Sequence, residues 1–303
     1  MSEILVVGSL AYDGISTPAG RVDRALGGSA NYFSLAASLF APVRVVGVVG
    51  EDYGKEDEEL LRSRRVDLSG LERVKGKTFF WEGKYEGDLN EAITLKTELN
   101  VFEHFNPNLP EKFRDSEFVF LANIAPELQM QVLDQVRAPK FVGMDTMNFW
   151  IGSKKEALLK ILSRVDVVLI NETEAEMLTG AANAISAAPK ITAMGPKAVV
   201  IKRGEYGFAF YSKTEGFCIL PAMPIPGVVD PTGAGDTFAG GFFGHLAKLG
   251  RVPTAADMRE ACISGTLLAS FTIQDFSVRA LAKVTSDDIR EREREYLKVI
   301  GRA

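Results

Sequence analysis

Six short apolar, β-branched runs constrain this chain more than any other feature: residues 4–10 (ILVVGSL), 43–50 (VRVVGVVG), 118–122 (FVFLA), 140–144 (KFVGM), 165–170 (VDVVLI) and 198–201 (AVVI). Runs of this kind suit strands buried on both faces. Between them lie segments of helical spacing or helix-forming composition at 29–40, 55–65, 127–136, 154–162 and 172–178. The alternation predicts right-handed βαβ units and therefore a mostly parallel sheet covered by helices on both faces. In such sheets ligands bind at the carboxyl ends of the strands.

Residues 78–97 (TFFWEGKYEGDLNEAITLKT) break the rhythm, because polar and apolar residues alternate and Gly83 and Gly87 sit near polar, turn-like clusters. An antiparallel hairpin projecting from the main sheet is expected. Residues 11–25, polar and irregular between a strand and a helix, could pair with it. A small β lid from about 11–26 and 77–100, on a single domain of residues 1–303, follows. Beyond Gly235 the chain reads as helical at 236–249, 254–271 and 286–300, the last with a charged, solvated face (EREREYLK).

Composition fixes the class. The 303 residues are enough for one large domain with a buried core, and 46% hydrophobic with 25% charged residues is ordinary for a globular chain. The formal charge of −5 gives no electrostatic reason for a nucleic-acid partner. The first strand-like run begins at Ile4, which leaves no room for a secretory leader. No apolar run approaches the roughly 18 residues that span a bilayer. A cytoplasmic protein with no membrane partner is expected. Cys218 and Cys262 have no metal or redox spacing and read as free thiols, and His104 and His245 as surface or core histidines.

Residues 227–241 (GVVDPTGAGDTFAGG) are the most informative segment. Pro231 cannot donate to a sheet ladder, and Gly233 and Gly235 permit backbone angles closed to other residues, so a sharp turn is expected there with a helix from about Asp236. A helix start turns unpaired N–H groups outward, where small residues let an anion approach. Gly233, Ala234 and Gly235 could hold the charge that develops on a transferring phosphoryl group. Asp236 could accept the proton of an attacking hydroxyl, a contribution of roughly 100- to 10,000-fold. The same residues also suit simple punctuation, since Asp is a good N-cap. Gly240, Gly241 and Gly244 would each cost about 1 kcal/mol relative to Ala inside a helix, so something must approach that helix closely.

The stretch Asp230-Pro-Thr-Gly-Ala-Gly-Asp-Thr-Phe-Ala-Gly240 resembles the C-terminal signature, DTTGAGDxFxxG, of the PfkB or ribokinase family of carbohydrate and nucleoside kinases. The resemblance runs over nearly the whole chain. Gly27-Gly28-Ser29-Ala30-Asn31 is similar to the family's N-terminal signature, in which paired glycines open a helix carrying an Asn. It implies that Asp13, Gly27, Gly28 and Asn31 bind substrate hydroxyls. Asn171-Glu-Thr-Glu174 resembles the NxxE motif, which implies that Glu174 and Asn171 help to hold Mg²⁺. Asn as N-cap with Glu in the first turn is equally good helix chemistry. Lys202-Arg-Gly-Glu-Tyr-Gly207 is similar to the family's nucleotide-binding turn, which implies that Gly204 and Gly207 approach ATP and that Lys202, Asn171 and Thr232 lie beside it. The implied fold is a three-layer, Rossmann-like, mostly parallel α/β sheet with helices on both faces and a small β lid. No Walker-type GxxxxGK[ST] is present.

The pattern departs from the family in places. Motifs for ribose or fructose 6-phosphate are missing. Asp145-Thr-Met-Asn148 resembles the DxNxR-like segment of some sugar kinases without its Arg, which leaves Asn148 as a substrate neighbour. Phe79-Phe80-Trp81, with Tyr85 nearby, suits a lid that stacks on a sugar face or a nucleobase, or one that packs against the core or a second subunit. The leading reading is an ATP- and Mg²⁺-dependent sugar kinase with Asp236 as general base. A nucleoside kinase of the same family is the alternative, and a catalytically silent sugar- or nucleotide-binding regulator the alternative of another class. A monovalent cation near Asp230 and a homodimer through the lid remain open.

Overall fold

The six apolar runs become interior strands of a nine-stranded sheet in a computed structural model of the chain, which describes residues 2–87 and 89–302. In chain order the first elements are β1 (Ile4–Val7), β2 (Ala11–Thr17), β3 (Gly20–Gly27), α1 (Ser29–Ala37), β4 (Val43–Val49), α2 (Lys55–Ser63), β5 (Val66–Arg73), β6 (Phe79–Tyr85), β7 (Ala92–Glu98), β8 (Phe118–Leu121), α3 (Pro126–Gln135) and β9 (Phe141–Asp145). There follow α4 (Asn148–Ser153), α5 (Lys155–Leu162), β10 (Val167–Asn171), α6 (Glu172–Thr179), α7 (Ala184–Ala193), β11 (Ala198–Lys202), β12 (Phe208–Ser212), β13 (Gly216–Leu220), α8 (Ala234–Lys248), α9 (Ala255–Thr272) and α10 (Ser286–Val299).

The main sheet runs β13-β12-β11-β10-β9-β8-β1-β4-β5. From β11 to β5 every pairing is parallel, and β12 and β13 close one edge antiparallel. The carboxyl ends of β1, β8, β9, β10 and β11 therefore line one rim, as expected of such a sheet. One apolar layer packs α1, α8 and α9 on the sheet, and the other packs α3, α5, α6 and α7. Several elements are absent from the sequence reading. Edge strand β5 alternates buried and solvated positions, and α7 carries Pro189 inside it. Helix α10 is solvated as expected, except that Tyr296 is buried and donates to the Pro221 carbonyl at 2.6 Å.

A second sheet, β3-β2-β6-β7, lies over the rim, with β2 and β6 parallel and the two outer pairings antiparallel. Its register fixes which side chains look inward. β2 and β6 pair without a break from Ala11–Phe79 to Ser16–Lys84, so Asp13, Ile15, Trp81, Gly83 and Tyr85 share one face. Thr17 Oγ1 donates to the Val229 carbonyl at 2.8 Å, and Ser277 Oγ donates to the Leu26 carbonyl, which ties this sheet to the body.

The three helix glycines are explained by neighbouring backbone. A Cβ on Gly240 would strike the Phe33 carbonyl of α1 and come within 2.8 Å of the Ala36 Cβ. One on Gly241 would lie 2.8 Å from the Ser264 carbonyl of α9, and one on Gly244 3.0 Å from the Ala37 carbonyl. Helix α8 is thus wedged between α1 and α9 at backbone contact. Changing Gly240→Ala would add about 1 kcal/mol of helix propensity, but forcing two backbones apart costs typically 1–3 kcal/mol. The clash should win, and thermal unfolding of Gly240→Ala is expected to show a lower Tm than the parent, whereas Ala at the solvent-facing Gly250, where nothing lies within 4 Å but φ is +68°, tests backbone strain alone.

Candidate functional site

The turn before α8 is clamped from below. Asp230 is fully buried; its Oδ1 accepts the Thr232 N–H at 2.9 Å and its Oδ2 the Ser277 N–H at 2.8 Å. One oxygen holds the turn and the other Ser277, so a monovalent cation here would have to share them. Gly233 adopts φ 73°, a left-handed conformation, and a Cβ there would run into the Tyr32 ring. Glycine is required on both counts.

Helix α8 begins at Ala234, two residues before the expected start, which makes Asp236 its third residue. The Ala234 N–H turns back to the Pro231 carbonyl at 3.1 Å, and the Thr237 N–H reaches the Gly233 carbonyl at 2.8 Å. Among the described residues the N–H groups of Gly235 and Asp236 have no backbone partner. They form the open positive end of a 15-residue helix. Of the three residues expected to hold an anion, Gly233 and Gly235 have N–H groups without a backbone partner among the described residues and Ala234 does not, and the Asp236 N–H joins them.

Asp236 keeps part of its surface open to the cleft. Burial of its carboxyl, reinforced by the Asp145 carboxylate and opposed by Lys202, pushes its pKa up to about 7. Asp145 ends β9, where its Oδ2 accepts from Lys202 Nζ at 2.9 Å and its Oδ1 accepts the Thr146 N–H at 2.7 Å. Lys202, at the end of β11, lies under the turn, with Nζ 3.1 Å from where a Gly235 Cβ would stand. Burial alone would lower the Lys202 pKa, but Asp145 and Glu174 hold it above its usual value. It stays charged.

Asn171 and Glu174 form a capping box on α6: the Glu174 N–H donates to Asn171 Oδ1 at 2.7 Å and the Asn171 N–H to Glu174 Oε2 at 2.9 Å. The capping interpretation therefore holds for Asn171. Glu174 is 9% exposed, and burial first, then Asp145, raises its pKa to about 7. Asp145, Glu174 and Asp236 thus face one Lys202. Among the described residues no three metal-binding side chains close into a cage.

Asp13 stands across the cleft on β2, 4% exposed. Burial, then Asp230 and Asp236, raises its pKa to about 8, while the Gly28 N–H bonds its carboxylate. A Cβ on Gly27 would overlap that carboxylate, and one on Gly28 would meet the Ser9 carbonyl at 2.6 Å. The paired glycines thus seat Asp13 and the start of α1. Asn31 is wholly buried; its amide donates to the Gly27 carbonyl at 2.6 Å and accepts from Tyr53 OH at 3.1 Å. Its side chain braces the glycine turn.

Other expected residues are more peripheral. Asn148 is exposed at the start of α4, with Oδ1 accepting the Phe149 N–H at 2.8 Å, and Asp145 is the member of that segment that faces the cluster. Gly204 (φ 53°) and Gly207 (φ 83°) shape a turn, but Gly207 lies against the backbone of 220–222, and the Asn90 side chain from the β6–β7 hairpin lies on Gly204. Thr232 Oγ1 donates to Tyr85 OH at 3.2 Å, which joins the turn to the second sheet. Tyr32 places a buried hydroxyl beside the same turn. The sequence pattern points to Asp230 only as the start of the signature and as a possible cation neighbour, and it does not single out Asp145 or Tyr32 as site-forming groups. Only Asp145 had a usable signal: a carboxylate at the carboxyl end of a central strand.

Comparison with known proteins matches this geometry to one group. Residues 1–284 match the profile of the pfkB family carbohydrate kinases. A cytidine kinase of Thermococcus kodakarensis is 34% identical over 82% of this chain and 90% of its own. The crystal structure of Methanocaldococcus jannaschii nucleoside kinase superposes with a TM-score of 0.77 at 21% identity, covering 97% of this chain and 99% of its own. Aminoimidazole riboside kinase from Salmonella enterica, complexed with aminoimidazole riboside and an ATP analog, gives 0.77 at 19% identity, over 96% and 99%. The α/β fold with a small sheet lid is shared.

The raised Asp236 pKa has a thermodynamic consequence. The unfolded chain ionises Asp236 near 4 and the folded one near 7, so between these values the folded state holds an extra proton and its stability falls as pH rises. Asp236→Asn lacks this penalty. Its Tm, measured without ligand, is expected to match the parent near pH 4, to pull ahead through pH 7, and to keep a constant lead above that.

Proposed function

The chain belongs to the pfkB family of carbohydrate kinases, and on that premise we propose that it transfers the γ-phosphoryl group of ATP to a hydroxyl of a nucleoside, with Asp236 as general base. A free sugar is the acceptor that the sequence alone favours. What moves the reading to a nucleoside is the 34% identical cytidine kinase, supported by riboside-binding enzymes of the same fold. One observation carries the chemistry: Asp236 stands at the open N-terminus of α8, near neutrality in pKa, within the electrostatic reach of Asp13 on the opposite wall.

In this reading Asp13 orients the acceptor through its hydroxyls. Asp236 receives the hydroxyl proton as the oxygen attacks phosphorus, and a pKa near 7 suits a base that must be ionised at neutral pH. The free N–H groups of Gly235 and Asp236, fixed before the reaction, would stabilise charge on the transferring group. Lys202, held by Asp145, would add positive charge at the same place. Mg²⁺ arriving with ATP would neutralise phosphate charge, and Glu174 with Asp145 would hold it. Asp145 would then be shared between the ion and Lys202. Exposed Ile93 and Leu95 on β7 support pairing of two copies through the lid.

ADP release should be measured on nucleosides, including cytidine, and on free sugars. Nucleosides should be turned over best, and Asp236→Asn should lower kcat at pH 7.5 by roughly 100-fold or more, with KM for ATP little changed. Turnover of sugars alone would return the acceptor to that class. Saturable binding without any turnover would favour a silent regulator, and full activity of Asp236→Asn would remove it from the base role.

A further inference from the structure

The aromatic run 79–81 has no part in the chemistry above, yet one of its rings is held in an unusual pose. Trp81 pairs in register with Asp13, so both side chains leave the same, inward face of the second sheet. Its indole does not stand up from the sheet. It lies back over Gly83: a Cβ there would overlap the outer ring carbons Cη2 and Cζ2 and reach Cζ3 at 2.8 Å. Trp81 Nε1 donates to Thr94 Oγ1 at 3.2 Å on the neighbouring strand β7, and Gly83 pairs with Thr94 in that register. The ring is therefore pinned at its nitrogen and bedded on a residue with no side chain. Gly83 is buried beneath it, while Trp81 keeps part of its surface exposed. Gly83 is not in the left-handed region, and its lack of a side chain therefore serves the ring and not the backbone.

A flat indole one strand away from the carboxylate that orients ribose-like hydroxyls matches a planar group attached to a sugar. We propose that Trp81, bedded on Gly83 and pinned by Thr94, is the stacking platform for the nucleobase and sets the preference for nucleosides over free sugars. This rests on the nucleoside reading above. Stacking of a base on an aromatic ring tolerates any base, so the platform selects a nucleoside as a class and leaves the choice among bases to hydrogen bonding elsewhere.

The test compares Trp81→Ala, Trp81→Phe and Gly83→Ala with the parent, using cytidine as acceptor. Trp81→Ala should raise KM for cytidine roughly 5- to 100-fold, with kcat and KM for ATP nearly unchanged. Trp81→Phe should recover most of the loss. Gly83→Ala, which leaves the indole in place but lifts it off its bed, should also raise KM for cytidine. Independently of these variants, the chain has two tryptophans, so in Trp150→Phe the Trp81 indole is the only source of tryptophan fluorescence, and cytidine should quench it saturably while ribose should not. Cytidine turnover with KM unchanged in both Trp81→Ala and Gly83→Ala, or no quenching in Trp150→Phe, overturns the platform while leaving the nucleoside reading intact. Parent protein that phosphorylates sugars but no nucleoside overturns both.

Discussion

Backbone contact between α8 and its two neighbours is the constraint on which the rest of the molecule depends. Gly240 and Gly244 admit α1, and Gly241 admits the Ser264–Gly265 backbone of α9. With a Cβ at these positions the helix would stand off and its first turn would move with it. That turn carries the free N–H groups and Asp236, and it is capped by a glycine packed on Tyr32 of α1. Helix packing and site geometry are therefore one fact. The Asp230 clamp adds a second anchor by joining the turn to Ser277, which in turn holds the end of β3.

Electrostatics adds a second layer. Burial of Asp236 and Glu174, and after it repulsion from Asp145, raises both of their pKa values, which is the cost of gathering three carboxylates here. Lys202 offsets it through its ion pair with Asp145. One cation offsets three carboxylates only in part, and both pKa values stay raised. Stability is given up at the site that the proposed chemistry needs, a common exchange in enzymes.

Much of the fold was legible because the central strands are continuous apolar runs, as in 118–122 and 165–170, and such runs have few alternatives. Edge strand β5 and helix α7 were not, because one alternates and the other contains Pro189. The site was legible where residue type alone restricts the backbone, at Gly233 and at the start of α8. It was less legible where one residue serves two ends. Asn31 reads as a ligand for hydroxyls, and its amide also braces Gly27 and Tyr53, which the spacing does not announce. The helix glycines invite a ligand and instead receive a neighbouring helix. Asp145 was overshadowed by Asn148, because sequence spacing does not say which residue of a loop ends the strand and which begins the next helix.

The central claim is that Asp236 is a base whose proton affinity is raised by burial and Asp145 and held in check by Lys202. The most direct measurement is the pH dependence of kcat/KM for the acceptor in the parent and in Lys202→Met. Activity should rise with pH through an apparent pKa near 7 in the parent, and the limb should move to higher pH when the Lys202 charge is removed, since that charge favours the Asp236 carboxylate. A limb in the ordinary carboxylate range near 4, or one that stays in place in Lys202→Met, would contradict the claim.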